Sequence, residues 1–383
     1  MQDAYIVDAV RTPFGKRDGS FRDTHPQDLA AEPLVALEER NGFTGPDDIE
    51  DVIYGCVDPV DEQANNIARL APMIAGWGDD VPGVQLDRMC GSGQQAINFA
   101  AGQIRSGFHD VIIAGGVEHM TCVPMGSAGN SIANSYFEYF DELTTQGEGA
   151  ERIAANGGYT REKLDSIAVD SQHRWGEAAE SGKYDEQVVP VEVELDGEHV
   201  MVEQDEHPRP ETDVETLAEL PLAFREKGNG VIHAGNSSGI VDGSAATLVA
   251  SGDACEEHDW EPKARIVDTH VVGVDPVTML RGPIPATNEL LEENDLTVDD
   301  IDRFEVNEAF ASVVSAWLAE TGADWERTNV WGGAIAHGHP LGATGAALLG
   351  KLPYQLEECD GRYGVCTMCI GFGQGIATLV ERV

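Results

Sequence analysis

The stretch that decides the fold is Asp87-Arg-Met-Cys-Gly-Ser-Gly-Gln-Gln95, which joins a predicted strand to a predicted helix. An apolar run over 81–86 predicts the strand, and apolar residues at helical spacing after Gln95 predict the helix. Cys90 therefore lies at or beside a helix N-terminus, where unpaired backbone N–H groups and the helix dipole favour a thiolate. The alternative is a buried structural cysteine, since free cysteine is among the most buried residue types.

Apolar segments around this turn alternate between strand-like and helix-like patterns. The predicted elements of the first third are strand 4–8, helix 29–40, strand 52–57, helix 65–75, strand 81–86, a helix ending near 107 and strand 110–115. Such alternation is typical of βα units, and it predicts a mostly parallel sheet.

Residues from about 120 to about 230 have a different character. Residues 126–135 are small and polar, which predicts a loop. Thr160 is placed to cap a helix running to Ser181, and the alternation around Asp196-Gly197 predicts a hairpin. We interpret this stretch as an inserted loop and cap region.

Two short segments of the first half recur in the second half in the same order. Arg265-Ile-Val-Asp268 resembles Tyr5-Ile-Val-Asp8, and Asp299-Asp-Ile-Asp302 resembles Asp47-Asp-Ile-Glu50. Each acidic turn is followed by an apolar strand. The matching order favours a duplicated α/β core.

The chain of 383 residues is strongly acidic, with 24 Lys and Arg against 68 Asp and Glu and a formal charge of −44. Such a charge disfavours a nucleic-acid partner and an anionic membrane surface. Self-repulsion at this charge destabilises a compact state in dilute salt. We therefore expect a halophilic protein, adapted to concentrated salt that screens the repulsion.

Seven cysteines, an odd number spread along the chain, do not form the framework of a secreted disulfide protein. The first residues lead directly into a predicted strand without a basic and apolar leader. No apolar run approaches the roughly 18 residues of a membrane span. A cytoplasmic protein without a membrane segment is expected.

The second half supplies groups that can assist a cysteine nucleophile. His337 and His339 lie in a glycine-rich loop over 332–342, and a histidine is the usual base for a reactive cysteine. Cys366 and Cys369 lack a second pair at zinc spacing, and they fall in a predicted strand. A second reactive thiol is better suited to moving a proton to or from carbon. Asn307 heads a predicted helix, either as a cap or to hold a water.

Taken together, these motifs resemble those of the thiolase family, in the family's order and over nearly the whole chain. The motifs are Asp87-Arg-Met-Cys-Gly-Ser-Gly93, Gly235-Asn-Ser-Ser-Gly-Ile-Val-Asp-Gly243, Asn307-Glu-Ala-Phe310, Gly338-His-Pro340 and Cys369-Ile-Gly-Phe-Gly-Gln-Gly375. Gly115-Gly-Val-Glu-His-Met120 and the terminal Val-Glu-Arg-Val383 are most similar to bacterial 3-ketoacyl-CoA thiolases.

The resemblance implies an α/β fold of two pseudo-repeated βαβαβαββ halves in a five-layered αβαβα sandwich, each half a mixed sheet with helices on both faces. Residues 1–119 and 231–260 would form the N-terminal half, residues 120–230 the loop and cap insertion, and residues 261–383 the C-terminal half. Cys90 would then lie in one half and the other catalytic groups in the other. The site would form where the halves meet.

The resemblance also implies a role for each reactive residue. Cys90 would carry the acyl group, His339 would take its proton, and Cys369 would move the proton on the acetyl-CoA methyl carbon. One oxyanion hole would be His339 with a water held by Asn307. The other would be the backbone N–H groups of Cys90 and Gly371. His337 falls where the family usually has an apolar residue, so it receives no catalytic role.

CoA and acyl-CoA would be substrates, with no bound cofactor and no metal. The CoA and substrate contacts implied by the resemblance are Arg209, Phe224, Ser238, Met279 and Phe310. Members of the family are dimers or tetramers, so we expect a homodimer or homotetramer that acts on CoA thioesters in fatty acid metabolism.

One position departs from the family pattern, and two other functions stay in consideration. Asp87 stands where the family commonly has Asn, and its carboxylate would oppose a thiolate at Cys90 unless it points away or is paired. A ketoacyl synthase of the same superfamily would need a second His at the place of Cys369. A non-catalytic lipid carrier or scaffold of the same fold would not need the four catalytic residues together.

Overall fold

The computed structural model of the chain describes residues 2–129, 131–226 and 228–383. Position 130 of the predicted loop and position 227 of the predicted cap region lie outside the described residues. Within the described residues there are twelve strands. They are β1 (Ala4–Arg11), β2 (Gly15–Lys16), β3 (Asp51–Gly55), β4 (Gly83–Leu86), β5 (Val111–His119), β6 (Val191–Leu195), β7 (Glu198–Val202), β8 (Val241–Ser251), β9 (Ala264–Gly273), β10 (Arg303–Val306), β11 (Tyr363–Ile370) and β12 (Gln374–Arg382).

The same parts of the chain form twelve α-helices. They are α1 (Pro26–Asn41), α2 (Gly45–Asp48), α3 (Ile67–Ile74), α4 (Ser92–Ser106), α5 (Gln146–Gly157), α6 (Arg161–Glu180), α7 (Val214–Ala218), α8 (Gly252–Glu257), α9 (Pro283–Glu293), α10 (Ala311–Thr321), α11 (Ala334–His337) and α12 (Leu341–Glu358). Local signals explain several boundaries. Thr160 accepts a hydrogen bond from the Lys163 N–H at the start of α6, and Gly107 ends α4 in the left-handed region.

One large sheet runs through both halves, in the order β10-β11-β12-β9-β1-β8-β5-β3-β4, with β2 paired to β8. Across the sheet, β1 is the strand of the N-terminal half that borders the C-terminal half, and β9 is its neighbour there. These two strands pair through Tyr5 with Arg265 and Ile6 with Ala264. The two similar segments of the sequence therefore lie side by side at the centre of the sheet. The strands β6 and β7 form a separate hairpin around Asp196-Gly197, as predicted.

The sheet is mixed, which confirms the sheet type implied by the family resemblance, while the mostly parallel sheet predicted from the alternation of elements is wrong. Strand β3 runs parallel to β4 and β5, and β10 runs parallel to β11. However, β8 is antiparallel to both β1 and β5, and β12 is antiparallel to both β9 and β11. The turn between β11 and β12 is only three residues long, which permits a hairpin but no crossover helix.

Helices cover both faces of each half, which gives five layers. Helices α1 and α3 pack on the outer face of the N-terminal strands, and α9 and α10 on the outer face of the C-terminal strands. Helices α4 and α12 lie between the two sets of strands and contact each other. The predicted sandwich of two halves is confirmed, and its central layer carries the two helices that follow Cys90 and His339 in sequence.

Glycines let the backbones of the central layer come into contact. A Cβ added to Gly93 of α4 would lie 2.6 Å from the carbonyl oxygen of Gly342, and one added to Gly116 of β5 would lie 2.1 Å from the same atom. A Cβ on Gly345 of α12 would lie 2.4 Å from the backbone nitrogen of Gln94. No larger residue fits at these contacts without displacing main chain. The distance between α4 and α12 is therefore set by backbone against backbone.

Candidate active site

A cavity of about 390 Å³ opens where the two halves meet. Its described lining residues include the three predicted reactive groups Cys90, His339 and Cys369. The remaining lining residues are Met120, Met125, Thr145, Gln146, Gly147, Phe224, Ser237, Ser238, Gly239, Ile240, Leu280, Ala309, Phe310 and Leu341. Two sulfurs and one imidazole that are far apart in sequence therefore face one space.

A strained turn presents Cys90 to this cavity. Met89 has a φ of 46°, a left-handed conformation that is unusual for a residue with a side chain. The Asp87 carboxylate accepts a hydrogen bond from the Met89 N–H at 2.6 Å, and the Ser92 hydroxyl accepts one from the Arg88 N–H at 2.9 Å. These two bonds hold the turn, and α4 begins directly after it.

Asp87 thus bonds its own turn, while the Arg88 guanidinium donates to the Gln374 side-chain oxygen at 3.0 Å. An ion pair with Arg88 would have reduced the effect of the Asp87 carboxylate on the ionisation of Cys90. The described residues show a backbone partner for Asp87 instead. An asparagine side-chain oxygen could accept the same bond, which explains how either residue can serve here.

Burial dominates the ionisation of Cys90 and raises the pKa of its thiol to about 11. The backbone N–H groups of Gly371 and of Cys90 itself lower that pKa, as expected at a helix N-terminus, while the carboxylates of Glu118 and Asp87 raise it. The predicted pull of the helix N-terminus toward a thiolate is therefore present, but it is not the dominant influence on the pKa. Loss of water from a thiol that is 5% exposed outweighs the amide groups.

Hydrogen bonds fix the tautomer of His339. Its Nδ1 lies 2.7 Å from the Thr344 hydroxyl, and that hydroxyl donates its own proton to the Pro340 carbonyl at 2.9 Å. The hydroxyl must then accept from His339, so Nδ1 carries the hydrogen and Nε2 is unprotonated and can act as an acceptor. The Asn307 side-chain amide donates to this Nε2 at 3.3 Å.

Burial lowers the pKa of His339 to about 4, so its imidazole is neutral at neutral pH. Its backbone N–H donates to the Gly239 carbonyl at 3.0 Å, which ties the loop to the opposite cavity wall. A neutral imidazole with an unprotonated Nε2, in the same cavity as a thiol, is arranged for proton transfer during reaction.

Asn307 lies behind His339, but it does not begin a helix, so that prediction is wrong. Helix α10 starts at Ala311, and Phe310 before it is extended. The Asn307 N–H donates to the Thr367 carbonyl at 3.0 Å, which continues the pairing of β10 with β11 and keeps the chain out of a helix. Within the described residues the Asn307 side-chain oxygen has no partner. A buried acceptor of this kind suits an ordered water.

Cys369 is the second thiol of the cavity. It lies on β11, where Cys366 three residues earlier points to the central core and Cys369 to the other side. Burial first, and then the proximity of Cys90, raise the pKa of the Cys369 thiol. The turn after β11 carries Gly371, whose N–H reaches the Cys90 sulfur. One strand end therefore supplies both a thiol and an amide donor.

Three of the five residues predicted for CoA and substrate line the cavity. Phe224 and Phe310 meet edge to face with ring centroids 5.9 Å apart, and Ser238 lies on the wall between the halves. Met279 is buried in the C-terminal core, and its neighbour Leu280 reaches the cavity instead. The Arg209 guanidinium donates to the carbonyls of residues 206–208, and Arg209 is absent from the described lining.

His337, which received no catalytic role, faces away from the cavity. It is 3% exposed, and its ring packs edge to face on Phe14 with centroids 5.6 Å apart. Burial, with Lys351 and Arg11 nearby, holds the pKa of His337 well below its usual value. Its surroundings are those of a packed core histidine.

Two residues of the site were not found from the sequence. Thr344 holds the His339 tautomer, and Glu118 accepts hydrogen bonds from Gly342 at the start of α12 and from Val57 after β3, each at 2.9 Å. Burial raises the pKa of Glu118 to about 7. A glutamate inside a buried apolar strand was a usable signal for Glu118, whereas Thr344 carried none.

The geometry agrees with comparisons to known proteins. Residues 4–253 match the family model described as Thiolase, N-terminal domain, and residues 260–382 match Thiolase, C-terminal domain. The chain belongs to the thiolase family. The thiolase chain is 43% identical to a steroid 3-ketoacyl-CoA thiolase of Mycobacterium tuberculosis, covering all of this chain and 95% of that protein.

Other relatives of this thiolase carry different names. It is 42% identical to the 3-oxoadipyl-CoA/3-oxo-5,6-dehydrosuberyl-CoA thiolase of Escherichia coli over the full length of both. The crystal structure of the Bacillus anthracis acetyl-CoA acetyltransferase is similar with a TM-score of 0.91 at 36% identity, covering 100% of this chain and 99% of that one. In the described part of the thiolase, no helix is long and apolar enough to span a membrane.

Proposed function

We propose that this thiolase interconverts a 3-ketoacyl-CoA and CoA with acetyl-CoA and a shortened acyl-CoA, through an acyl group on Cys90. The observation that carries the proposal is that Cys90, His339 and Cys369 line one cavity. Acyl transfer with cleavage of a carbon–carbon bond needs a nucleophile, a base for it and an acid for the carbon that leaves.

In thiolysis, the Cys90 thiol passes its proton to Nε2 of His339, and the sulfur attacks the 3-keto carbon. The bond between carbons 2 and 3 then breaks, and its electron pair forms the enolate of acetyl-CoA. The Cys369 thiol donates its proton to that carbon, so acetyl-CoA leaves and Cys369 remains as thiolate. The acyl group is now a thioester on Cys90.

In the second half-reaction, the CoA thiol gives its proton to the Cys369 thiolate. The CoA sulfur attacks the Cys90 thioester, and the acyl group leaves as acyl-CoA. The Cys90 sulfur recovers its proton from the His339 imidazolium, which returns both residues to their neutral starting states. The same steps in reverse give Claisen condensation.

Two sets of donors are proposed for the oxyanions. The N–H groups of Cys90 and Gly371 would stabilise the oxygen of the carbonyl attacked by Cys90, since both already lower the pKa of its thiol. His339, with a water bound to the Asn307 side-chain oxygen, would stabilise the enolate. The unpartnered state of that oxygen among the described residues supports the water site.

CoA and acyl-CoA act as substrates in this proposal, with no resident cofactor or metal. Phe224, Ser238 and Phe310 are proposed along the pantetheine and acyl path, since they line the cavity. Met279 and Arg209 are proposed to act less directly, Met279 by supporting Leu280 and Arg209 by shaping the loop 206–208.

We propose the domain division 1–119 with 231–260, 120–230, and 261–383. In support, the strands of the large sheet all lie outside 120–230. A homodimer or homotetramer is proposed because β4 ends the sheet with β3 as its described partner and Val84 on β4 is exposed. A cytoplasmic location in a halophile is supported by seven unpaired cysteines and the charge of −44. A role in fatty acid metabolism is proposed from the 3-ketoacyl-CoA thiolases among its relatives.

The test is thiolysis of acetoacetyl-CoA and 3-oxohexanoyl-CoA in concentrated KCl, followed by loss of substrate absorbance. Activity that depends on CoA, with an acyl-enzyme mass increment lost in Cys90→Ala, is expected. The Cys369→Ala variant should still be acylated by an acyl-CoA but should not cleave 3-ketoacyl-CoA. Absence of CoA-dependent loss of both substrates would instead favour a scaffold or carrier of the same fold.

A further inference from the structure

We propose that the cavity selects 3-ketoacyl chains that are uncharged beyond the thioester and rejects chains ending in a second carboxylate. This inference rests on the proposed function and names the substrate class of the same site. Sequence similarity does not decide the matter, because relatives at 40–43% identity carry names that specify an adipyl acyl group or a steroid one. The cavity wall of this chain does decide it.

The wall is apolar where a substrate chain would lie. Side chains of Met120, Leu280, Phe310 and Leu341 form its buried part, and each is at most 7% exposed. Met125 and the other exposed apolar lining residues lie toward solvent. None of the lining residues that the structure describes is lysine or arginine.

Two of the neutral polar groups of the wall are already engaged. The Ser237 hydroxyl donates to the His233 carbonyl at 2.8 Å, and the Thr145 hydroxyl accepts from the Glu148 N–H as the cap of α5. The Ser237 hydroxyl cannot donate to a carboxylate without breaking its bond to His233, whereas the Thr145 hydroxyl keeps its own hydrogen and could offer one neutral hydrogen bond.

Two arginines on the segments that carry the wall are paired with acids, and Arg88, two residues before Cys90, is bonded to the Gln374 side chain. Arg225 follows the lining residue Phe224, and its guanidinium makes two hydrogen bonds to Glu148, at 2.6 and 2.9 Å. Arg152 bonds both Glu148 and Glu142. A substrate carboxylate would have to displace a glutamate to reach either guanidinium.

Moving an ionised carboxylate into an apolar cavity whose described lining holds no lysine or arginine is unfavourable, because the carboxylate loses water and gains at most hydrogen bonds from neutral donors. An alkyl chain gains by leaving water in the same place. Met120 and Met125 are unbranched and can adapt to chains of different shape. The wall therefore discriminates by charge more than by shape.

The decisive measurement compares 3-oxohexanoyl-CoA with 3-oxoadipyl-CoA, which have the same six acyl carbons and differ by a terminal carboxylate. We expect kcat/KM to be at least about 100-fold higher for the uncharged substrate. A ratio within about tenfold, or a reversed one, overturns the inference while leaving the proposed function intact. Cleavage of neither substrate overturns both.

Salt and one added cation identify the cause of the preference. At 1 M KCl the screening length falls to about 3 Å, so a preference set by the wall should persist, and its collapse would assign it to the overall charge. Met125→Lys should raise kcat/KM for 3-oxoadipyl-CoA about tenfold. Met73→Lys adds the same charge on exposed Met73 of α3, outside the described lining, and should change neither substrate. If the two variants behave alike, the inference fails.

Discussion

Thr344→Val tests whether the tautomer of His339 is held by one hydroxyl. The hydroxyl accepts the Nδ1 hydrogen at 2.7 Å in a buried position, and valine has nearly the same shape without the acceptor. An unpaired buried donor costs about 1–3 kcal/mol. At 1.36 kcal/mol per factor of ten, the fraction of His339 in the tautomer with an unprotonated Nε2 falls about 5- to 150-fold. The value of kcat should fall with it.

The assay is thiolysis of acetoacetyl-CoA at saturating substrate, with KM measured in parallel. We expect the loss in kcat with KM changed less than threefold, because the cavity wall is untouched. Thr344→Ser keeps the hydroxyl and should remain within about twofold of wild type. Since Thr344 also donates to Pro340, the melting temperature of each variant is recorded. A fully folded Thr344→Val protein with wild-type kcat would refute the tautomer argument.

Three further predictions concern the nucleophile and the charge of the molecule. Asp87→Asn should keep activity within about twofold of wild type, because the amide oxygen can still accept from the Met89 N–H. Asp87→Ala should lose about 1 kcal/mol of stability, measured by chemical denaturation. A large gain in rate for Asp87→Asn would instead show that the carboxylate opposes ionisation of Cys90. Because the pKa of Cys90 is raised to about 11, its alkylation by iodoacetamide should accelerate about tenfold per pH unit between pH 7 and 9, and a plateau there would contradict the raised value. Finally, the charge of −44 predicts a melting temperature at least about 5 °C higher in 2 M than in 0.1 M KCl, measured by circular dichroism, and a flat or falling series would rule out screening as the cause.

Much of the fold was predictable because its signals are local. The apolar segments predicted the strands of the first half, and the two recurring segments fall on β1 with β9 and on the turns before β3 and β10. Strand direction was not predictable in the same way. Whether β8 and β12 pair parallel or antiparallel depends on which strands they meet in space, and that information is not carried by periodicity within one strand.

Cys90, His339 and Cys369 were predictable to the extent that each lies in or directly beside a glycine-rich turn next to an apolar element. Their electrostatics were not. Burial raises the pKa of the Cys90 thiol, and no local pattern around residue 90 expresses how deeply that thiol is buried. Likewise, Glu118 contacts Gly342 across 224 positions of sequence. All five CoA and substrate contacts came from family resemblance alone, and two of them, Arg209 and Met279, are absent from the described lining of the cavity.

The glycine contacts between α4 and α12 have a consequence for redesign of the enzyme. The nucleophile and its base each precede one of these helices, and at Gly93 and Gly345 the helices approach too closely to leave room for a Cβ. The spacing of the chemical groups is thus independent of which side chains furnish the pocket. Libraries that vary Met120, Met125, Leu280 and Leu341 should therefore change which acyl-CoA is accepted while the catalytic steps are retained. An alanine at position 93 or 342 should instead lower the activity toward every substrate.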